Sequence, residues 1–229
     1  MSQDEFQQQL KVAYENERDL VTKQCGDGAK FDSVNNATKT FYQRLDDTIK
    51  GASMHVSEGV DCRQGCSYCC YFRVDVSANE VFTLADYVQS TFDKNDLDNL
   101  LQKATDNKKK ISMLSQAKRV VTNIACPLLD EEGSCTVYEA RPSMCRKIHS
   151  TDVQACKASY DTPEEANIKN AEHPVLSAIT MTMLTAARDG FSAKGMDPEV
   201  YDLNEVLIDA LEDGKYKKRW LNGKKAFPS

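Results

Sequence analysis

Four cysteines lie within nine residues of this chain, in the segment DCRQGCSYCC at 61–70, which ends on an adjacent pair. Neighbouring cysteines rarely form a disulfide with each other, because their Cα atoms are closer than an unstrained bridge requires. A fold also gains little from packing Cys69 beside Cys70 as small apolar side chains. The chain has nine cysteines, and eight of them fall between residues 62 and 156. This clustering predicts a shared chemical use of several thiols.

Whether so many cysteines form disulfides or bind metal depends on the cellular compartment of the protein. The N-terminus MSQDEFQQQL is polar and acidic, without the apolar core of a signal peptide, and no apolar run is long enough for a transmembrane helix. We therefore expect a cytoplasmic protein, in a reducing environment where stable disulfides are uncommon. Under those conditions clustered cysteines favour metal binding or redox chemistry over a disulfide framework.

The charge balance argues against a nucleic-acid partner. The formal net charge is −6 and the sequence pI is about 5.2, whereas nucleic-acid binders usually carry a basic stripe. The exception is the basic C-terminal tail KYKKRWLNGKK at 215–225. Such a run is typical of a solvated terminus, and it also suits contact with an acidic protein partner or an anionic membrane.

Apolar residues recur every three or four positions over most of the chain, which predicts a mainly α-helical fold. Ser77-Ala-Asn-Glu80 is a capping box that starts one helix, and Thr162-Pro163-Glu164-Glu165 suits the start of another. The segment YFRVDV at 71–76 alternates and predicts a short strand or an extended loop. The predicted helices cover about 6–21, 33–52, 78–90, 94–121 as one helix or a broken pair, 162–188 with an interruption at Pro174, and 197–214.

The cysteines occupy two irregular stretches between these helices. We expect a single domain over 1–229, in which a cysteine-cluster metal-binding region at 62–156 is flanked by helices in 1–55 and 160–229. The simplest architecture is a helical domain whose two irregular cysteine-rich loops converge on a metal site.

Eight cysteines are the candidate metal ligands. The short gaps of the first group let a loop fold around an ion, and the ligand is the thiolate, so the metal displaces protons from these side chains. Cys25 lies far upstream and is not a candidate. The first group is Cys62-x3-Cys66-x2-Cys69-Cys70, and the second is Cys126, Cys135, Cys145 and Cys156.

The number and kind of metal stay open at this point. Zinc takes four ligands, so eight cysteines suit two zinc sites, or an iron–sulfur cluster with cysteines to spare. The side chains of Cys69 and Cys70 diverge, which favours a polynuclear cluster or two adjacent sites. His149 follows Cys145 at ligand spacing, but a surface position or one behind the ligands explains it equally well. Arg141 and Arg146 suit either the offset of thiolate charge or ordinary surface ion pairs.

The stretches CRQGCSYCC and CPLLDEEGSCTVYEARPSMCR resemble the YkgJ-type cysteine-cluster family, the CxxCxxCC zinc- or iron-chelating domains. The resemblance runs from Cys62 to Arg146, and Cys156 lies beyond it. It implies two sets of positions in this chain. The cluster cysteines are Cys62, Cys66, Cys69, Cys70, Cys126, Cys135 and Cys145, and the residues that frame them are Pro127, Gly133, Tyr138, Arg141, Pro142 and Arg146.

The resemblance leaves several functions in view. A related group, the flagellin lysine N-methylases, carries a similar domain linked to iron–sulfur chemistry. This chain shows no recognisable S-adenosylmethionine-binding sequence, so that activity does not carry over directly. The favoured function is a metal-binding protein, with an iron–sulfur cluster slightly preferred over zinc, that serves redox chemistry or protein modification. The alternatives are a structural zinc protein, a metal carrier or sensor without catalysis, and a cluster-dependent protein-modifying enzyme.

Overall fold

The computed structural model describes residues 2–27, 30–54, 59–63, 65–168 and 171–227. Within these ranges the chain forms ten α-helices and one two-stranded sheet, so the predicted mainly α fold is confirmed. The outermost residues of the two predicted helical flanks, at 1, 55, 228 and 229, lie outside the described residues.

Three long helices form the N-terminal side of the fold. These are α1 (Gln3–Cys25), α2 (Phe31–Ser53) and, from the other half of the chain, α8 (Pro174–Ser192). α1 packs along α8 so closely that a Cβ atom on Gly190 would lie 2.8 Å from the carbonyl oxygen of Arg18. On its other side α1 meets α2, where Arg44 pairs with the buried carboxylate of Glu17 at 2.6 Å.

The central helix is α3 (Ala78–Thr91), which packs against α2 and α9 (Leu203–Glu212). Its predicted capping box is present: the backbone N–H of Ser77 donates to the Glu80 carboxylate at 3.0 Å. Phe82 is fully buried in α3, and its ring lies 5.2 Å from that of Trp220 and 5.4 Å from that of Phe227. The C-terminal segment is thereby anchored in the core.

The predicted helix over 94–121 is a broken pair, α4 (Lys94–Ser112) and α5 (Gln116–Val120), and α4 packs against α9. The end of the YFRVDV segment is strand β1 (Asp75–Ser77), which pairs antiparallel with β2 (Val200–Asp202) so that Val76 lies opposite Tyr201. β2 is fixed to α5 by a buried ion pair in which Arg119 donates to Asp202 at 2.7 Å.

The cysteine-bearing stretches hold only short helices. A 3-10 turn spans Tyr68–Tyr71, and another spans Tyr138–Ala140. Two short α-helices follow the second 3-10 turn. α6 (Ser143–Lys147) carries Cys145, and α7 (Val153–Asp161) carries Cys156. α7 packs on the first 3-10 turn through Tyr160, whose ring lies 4.8 Å from that of Tyr71.

The predicted start of a helix at Thr162 is wrong. Thr162 instead follows the last residue of α7, where its backbone N–H and its hydroxyl both donate to the carbonyl of Ala158 at 2.9 Å. The backbone N–H of Glu165 then donates to the carbonyl of Thr162 at 3.0 Å, which closes a turn. The helix begins only at Pro174, the residue expected to interrupt it, which takes the first helical position where a missing N–H costs nothing.

The predicted last helix also differs from the observed one. Residues 200–202 pair with β1, so α9 starts at Leu203, and Val200, which falls inside the helix predicted over 197–214, is 46% exposed. Gly214 does not end the helical region but begins α10 (Gly214–Leu221), because the Asp213 carboxylate accepts the N–H of Lys215 at 2.8 Å and caps it. The basic tail is thus partly a folded helix whose Trp220 is buried.

None of the described helices is both long enough and apolar enough to span a membrane.

Candidate metal centre

The two cysteine-rich loops are hydrogen-bonded to each other. The backbone N–H of Cys126 donates to the carbonyl oxygen of Cys70 at 2.8 Å, and the N–H of Ile124 donates to that of Tyr71 at 2.9 Å. These two bonds lay the start of the second loop along the 3-10 turn of the first. Two stretches that are distant in the sequence therefore share one place in the fold.

The second loop folds back at an acidic turn that lies against the first loop. Leu129 and Cys135 form an isolated antiparallel bridge, and the carboxylate of Asp130 accepts the N–H of Ser134 at 2.6 Å. Gly133 has a φ of +80°, which favours glycine, and a Cβ there would lie 3.5 Å from the hydroxyl of Ser67. The turn thus needs a glycine for its backbone shape, and its carboxylate is used structurally.

The loops enclose a cavity of about 170 Å³. Its wall includes Gly65 and Gly133, three arginines (Arg63, Arg141 and Arg146) and apolar side chains such as Leu128 and Leu203. Most of the predicted ligands also face it, so the structure brings together seven of the eight. These are Cys62, Cys66, Cys69, Cys70, Cys126, Cys135 and Cys145.

The eighth candidate, Cys156, is not among the described residues that line this cavity. It lies on α7, close enough to Cys62 for its thiol to contribute to the raised pKa of Cys62. Cys25, which was not a candidate, lies at the end of α1 in the hydrophobic core, and burial raises its pKa to about 11.

The helix that carries Cys145 is fastened to the core by Glu80. The N–H of Ser143, at the start of α6, donates to the Glu80 carboxylate at 2.7 Å, and the hydroxyl of Tyr42 donates to the same oxygen at 3.3 Å. The capping box was visible in the sequence, but this second use of the carboxylate was not. It depends on a contact between segments far apart in the chain.

Comparison with known proteins gives one match. The model of the CxxCxxCC family, described as "putative zinc- or iron-chelating domain", matches residues 61–170. These 110 residues, a little under half of the chain's 229, are similar to that family. The match extends beyond the resemblance at Cys62 to Arg146 and includes Cys156. No curated protein and no solved structure matches the chain.

Three of the thiols at the cavity, those of Cys69, Cys126 and Cys145, are held protonated by their surroundings. Burial raises the pKa of Cys126 to about 12 and that of Cys145 well above its ordinary value. The pKa of Cys69 is raised by its hydrogen bond with Cys70 and then by burial. Without a cation these sulfurs are neutral thiols at neutral pH, and a bound metal would have to displace their protons.

The two arginines beside Cys145 behave differently. Arg141 lies close enough to Cys135 to oppose the rise of its pKa that burial causes, so it offsets thiolate charge. All three guanidinium nitrogens of Arg146 donate to oxygen: to the carboxylate of Asp46, to the carbonyl of Glu139 at 2.5 Å and to that of Arg141 at 2.8 Å. Arg146 is therefore a buried clamp for the loop, where the sequence suggested the offset of thiolate charge or an ordinary surface ion pair.

His149 is 2% exposed, so the surface position is wrong for it. Burial lowers its pKa, which keeps the imidazole neutral. It is not among the described residues that line the cavity. Among the described residues that line the cavity, no histidine or carboxylate accompanies the cysteines.

The cysteines gather around the cavity without forming a closed ligand set. In the described parts of the chain, no group of three or more His, Cys, Asp or Glu side chains is arranged to hold a metal ion. The chemistry of the donors nevertheless fits a soft metal, because thiolates favour zinc, copper(I) and iron–sulfur clusters. The cavity supplies both the donors and the space.

Proposed function

We propose that this protein binds an iron–sulfur cluster through the cysteines of its CxxCxxCC domain. The observation that carries the proposal is the set of seven cysteines, drawn from two loops, that lines one cavity. The family description, zinc- or iron-chelating, supports metal binding in general. A bound cluster would supply one-electron redox chemistry. The chain's own contribution is to present the thiols and offset their charge.

The size of the cavity favours a cluster over a single zinc ion. A cavity of about 150 Å³ in another protein takes up a molecule as large as benzene, and this one measures about 170 Å³. Four sulfurs around one zinc ion, each at about 2.3 Å, would leave most of that volume unfilled. A polynuclear cluster fills more of it. A cluster can also take both neighbouring thiols, those of Cys69 and Cys70, as ligands.

Positive charge at the cavity wall supports the binding of a metal by thiolates, whether zinc or a cluster. Several thiolates in one place repel each other, and a cation nearby lowers the cost of deprotonating them. Arg141 acts in this way on Cys135, whereas the charge of Arg146 is paired with Asp46. Net charge and hydrogen bonding around the sulfurs are among the factors that set the potential of a cluster.

The test is to purify the full chain without oxygen and to measure iron, acid-labile sulfide and zinc per chain, together with the visible spectrum. We expect iron and sulfide, and absorbance near about 400 nm that bleaches on reduction. Zinc alone in a colourless protein would contradict the cluster and support the structural zinc alternative. Absence of any metal would contradict metal binding altogether.

A further inference from the structure

A second cavity, of about 260 Å³, lies between α8, the start of α3 and the short sheet. None of the described residues that line it is a cysteine, so it is distinct from the cavity of the cysteine loops. Both cavities border α6: Ser143 and Met144 line this one, whereas Cys145 and Arg146 line the other. A molecule bound in the second cavity would therefore touch the helix that carries Cys145.

One wall of the second cavity is a face of α8. Met181, Leu184 and Arg188 line it and recur every three or four residues, which places them on the same side of the helix. Phe41 and Phe191 also line the cavity, and they are only 3% and 4% exposed. The inner part of the cavity is therefore apolar, and Arg188 adds a charge to one wall.

Exposed apolar side chains surround the opening of this cavity. Met181 is 43% exposed and Val200, on β2, is 46% exposed, and both are lining residues. Sites for small molecules are typically concave and mostly apolar, with a few polar groups that orient the ligand. The second cavity has this form, and its exposed apolar rim would be covered by an apolar ligand.

The charged groups that line the second cavity differ in how far they are already bonded. Asp75 accepts a hydrogen bond from Arg73 at 2.7 Å, and Glu80 accepts four from its neighbours. In the described part of the chain, Arg188 is paired only with the adjacent Asp189 at 3.9 Å, which is beyond hydrogen-bond distance. The guanidinium of Arg188 can therefore donate to an anion that enters the cavity.

We propose that the second cavity binds a small apolar molecule that carries a carboxylate. The guanidinium of Arg188 would hold the carboxylate, since its planar N–H groups match carboxylate geometry, and the apolar part would pack on Phe41 and Phe191. A cavity of about 150 Å³ takes up benzene, so this larger one has room for a ligand of roughly ten non-hydrogen atoms. Octanoate is a carboxylate of that size. The inference does not depend on the proposed function, because none of these groups is a candidate metal ligand.

The test is isothermal titration calorimetry of the full chain with two probes that share one aliphatic chain, octanoate and octylamine. We expect octanoate to bind at one site per chain, with a dissociation constant of about 1 mM or below, and to bind more tightly than octylamine. Arg188→Gln should weaken the binding of octanoate about fivefold, as the loss of a partly exposed ion pair does, without weakening that of octylamine. Arg18→Gln is the matched control, because Arg18 also pairs with the next residue, Asp19, but does not line the cavity.

Val200→Trp locates the binding site. The larger side chain would fill part of the opening, so it should weaken the binding of both probes, and a tryptophan suits a strand at an exposed position. Three results would overturn the inference. The first is no saturable binding of octanoate to the wild type. The second is an affinity for octanoate that is unchanged in Arg188→Gln or in Val200→Trp, and the third is tighter binding of octylamine than of octanoate.

Discussion

The carboxylate of Glu80 accepts a hydrogen bond from the backbone N–H of Ser143 at 2.7 Å, and this bond fixes the start of α6 to the central helix α3. The same carboxylate caps α3 itself through Ser77 and receives the hydroxyl of Tyr42. One buried side chain therefore positions the helix that presents Cys145 to the cavity. The cysteine-lined cavity and the helical core are coupled through it.

We expect Glu80→Ala to destabilise the fold and to weaken metal retention. The change removes the acceptor of four donors, the N–H and hydroxyl of Ser77, the N–H of Ser143 and the hydroxyl of Tyr42, and each bond to a charged group contributes about 1.5–3 kcal/mol. The free energy of unfolding in urea should therefore fall by at least about 3 kcal/mol. Glu5→Ala is the matched control, because Glu5 closes the exposed capping box of α1 and its loss should cost about 1 kcal/mol or less. Equal losses in the two variants would contradict this role of Glu80.

Gly190→Ala tests the close packing of α1 on α8. A Cβ at this position would lie 2.8 Å from a backbone carbonyl oxygen, which cannot move aside as a side chain can. Overpacking of this kind costs about 1–3 kcal/mol, against a gain of about 1 kcal/mol in helix propensity. We expect a lower melting temperature for Gly190→Ala. Gly51→Ala, in α2 with open space around its Cβ position, should raise it slightly. A neutral Gly190→Ala would contradict the packing described.

Arg119→Met tests the buried ion pair between α5 and β2. It leaves the carboxylate of Asp202, which is 2% exposed, without its cation, and such a loss costs about 3–5 kcal/mol. Lys118→Met removes the neighbouring exposed pair with Glu164 and should cost less than about 1 kcal/mol. Urea unfolding of both variants checks the difference. A similar small loss in both would mean that the buried pair is not needed for stability.

Metal retention should fall as the pH falls. Burial raises the pKa of Cys126 to about 12 and that of Cys145 well above its usual range, so protons compete strongly with the metal for these sulfurs. Lowering the pH favours the protonated, metal-free form, whereas raising it favours the metal-bound thiolates. Dialysis of the loaded protein from about pH 8 to about pH 5, with metal measured at each step, checks this sign. Constant metal content until circular dichroism reports unfolding would contradict it.

The sequence predicted those parts of the fold that local patterns determine. The helices from 31 to 91 follow from apolar periodicity and from the capping box at Ser77, both of which act within a few residues. The helix predicted to start at Thr162 is absent. Thr162 suits the start of a helix, but its hydroxyl instead donates to the carbonyl of Ala158 at the end of α7. Strand β2 is too short for any periodicity and exists because it pairs with β1.

The candidate site shows the same limit. Cysteine spacing identified the residues, and seven of the eight candidates do line one cavity. Their convergence, however, depends on the bond between Cys126 and Cys70 and on the anchoring of α6 by Glu80. Both are contacts between distant segments, which no local pattern encodes. The clamp formed by Arg146 was missed for the same reason.

The central claim is that both loops supply ligands to common metal. The most direct test is the metal content of Cys69→Ser and Cys126→Ser, which remove one thiol from each loop, with Cys25→Ala as the control in the core. All three proteins are purified without oxygen, and iron, sulfide and zinc per chain are measured. We predict that Cys69→Ser and Cys126→Ser lose the same metal to the same extent, while Cys25→Ala keeps the wild-type content. Wild-type metal content in either of the first two variants would contradict the account.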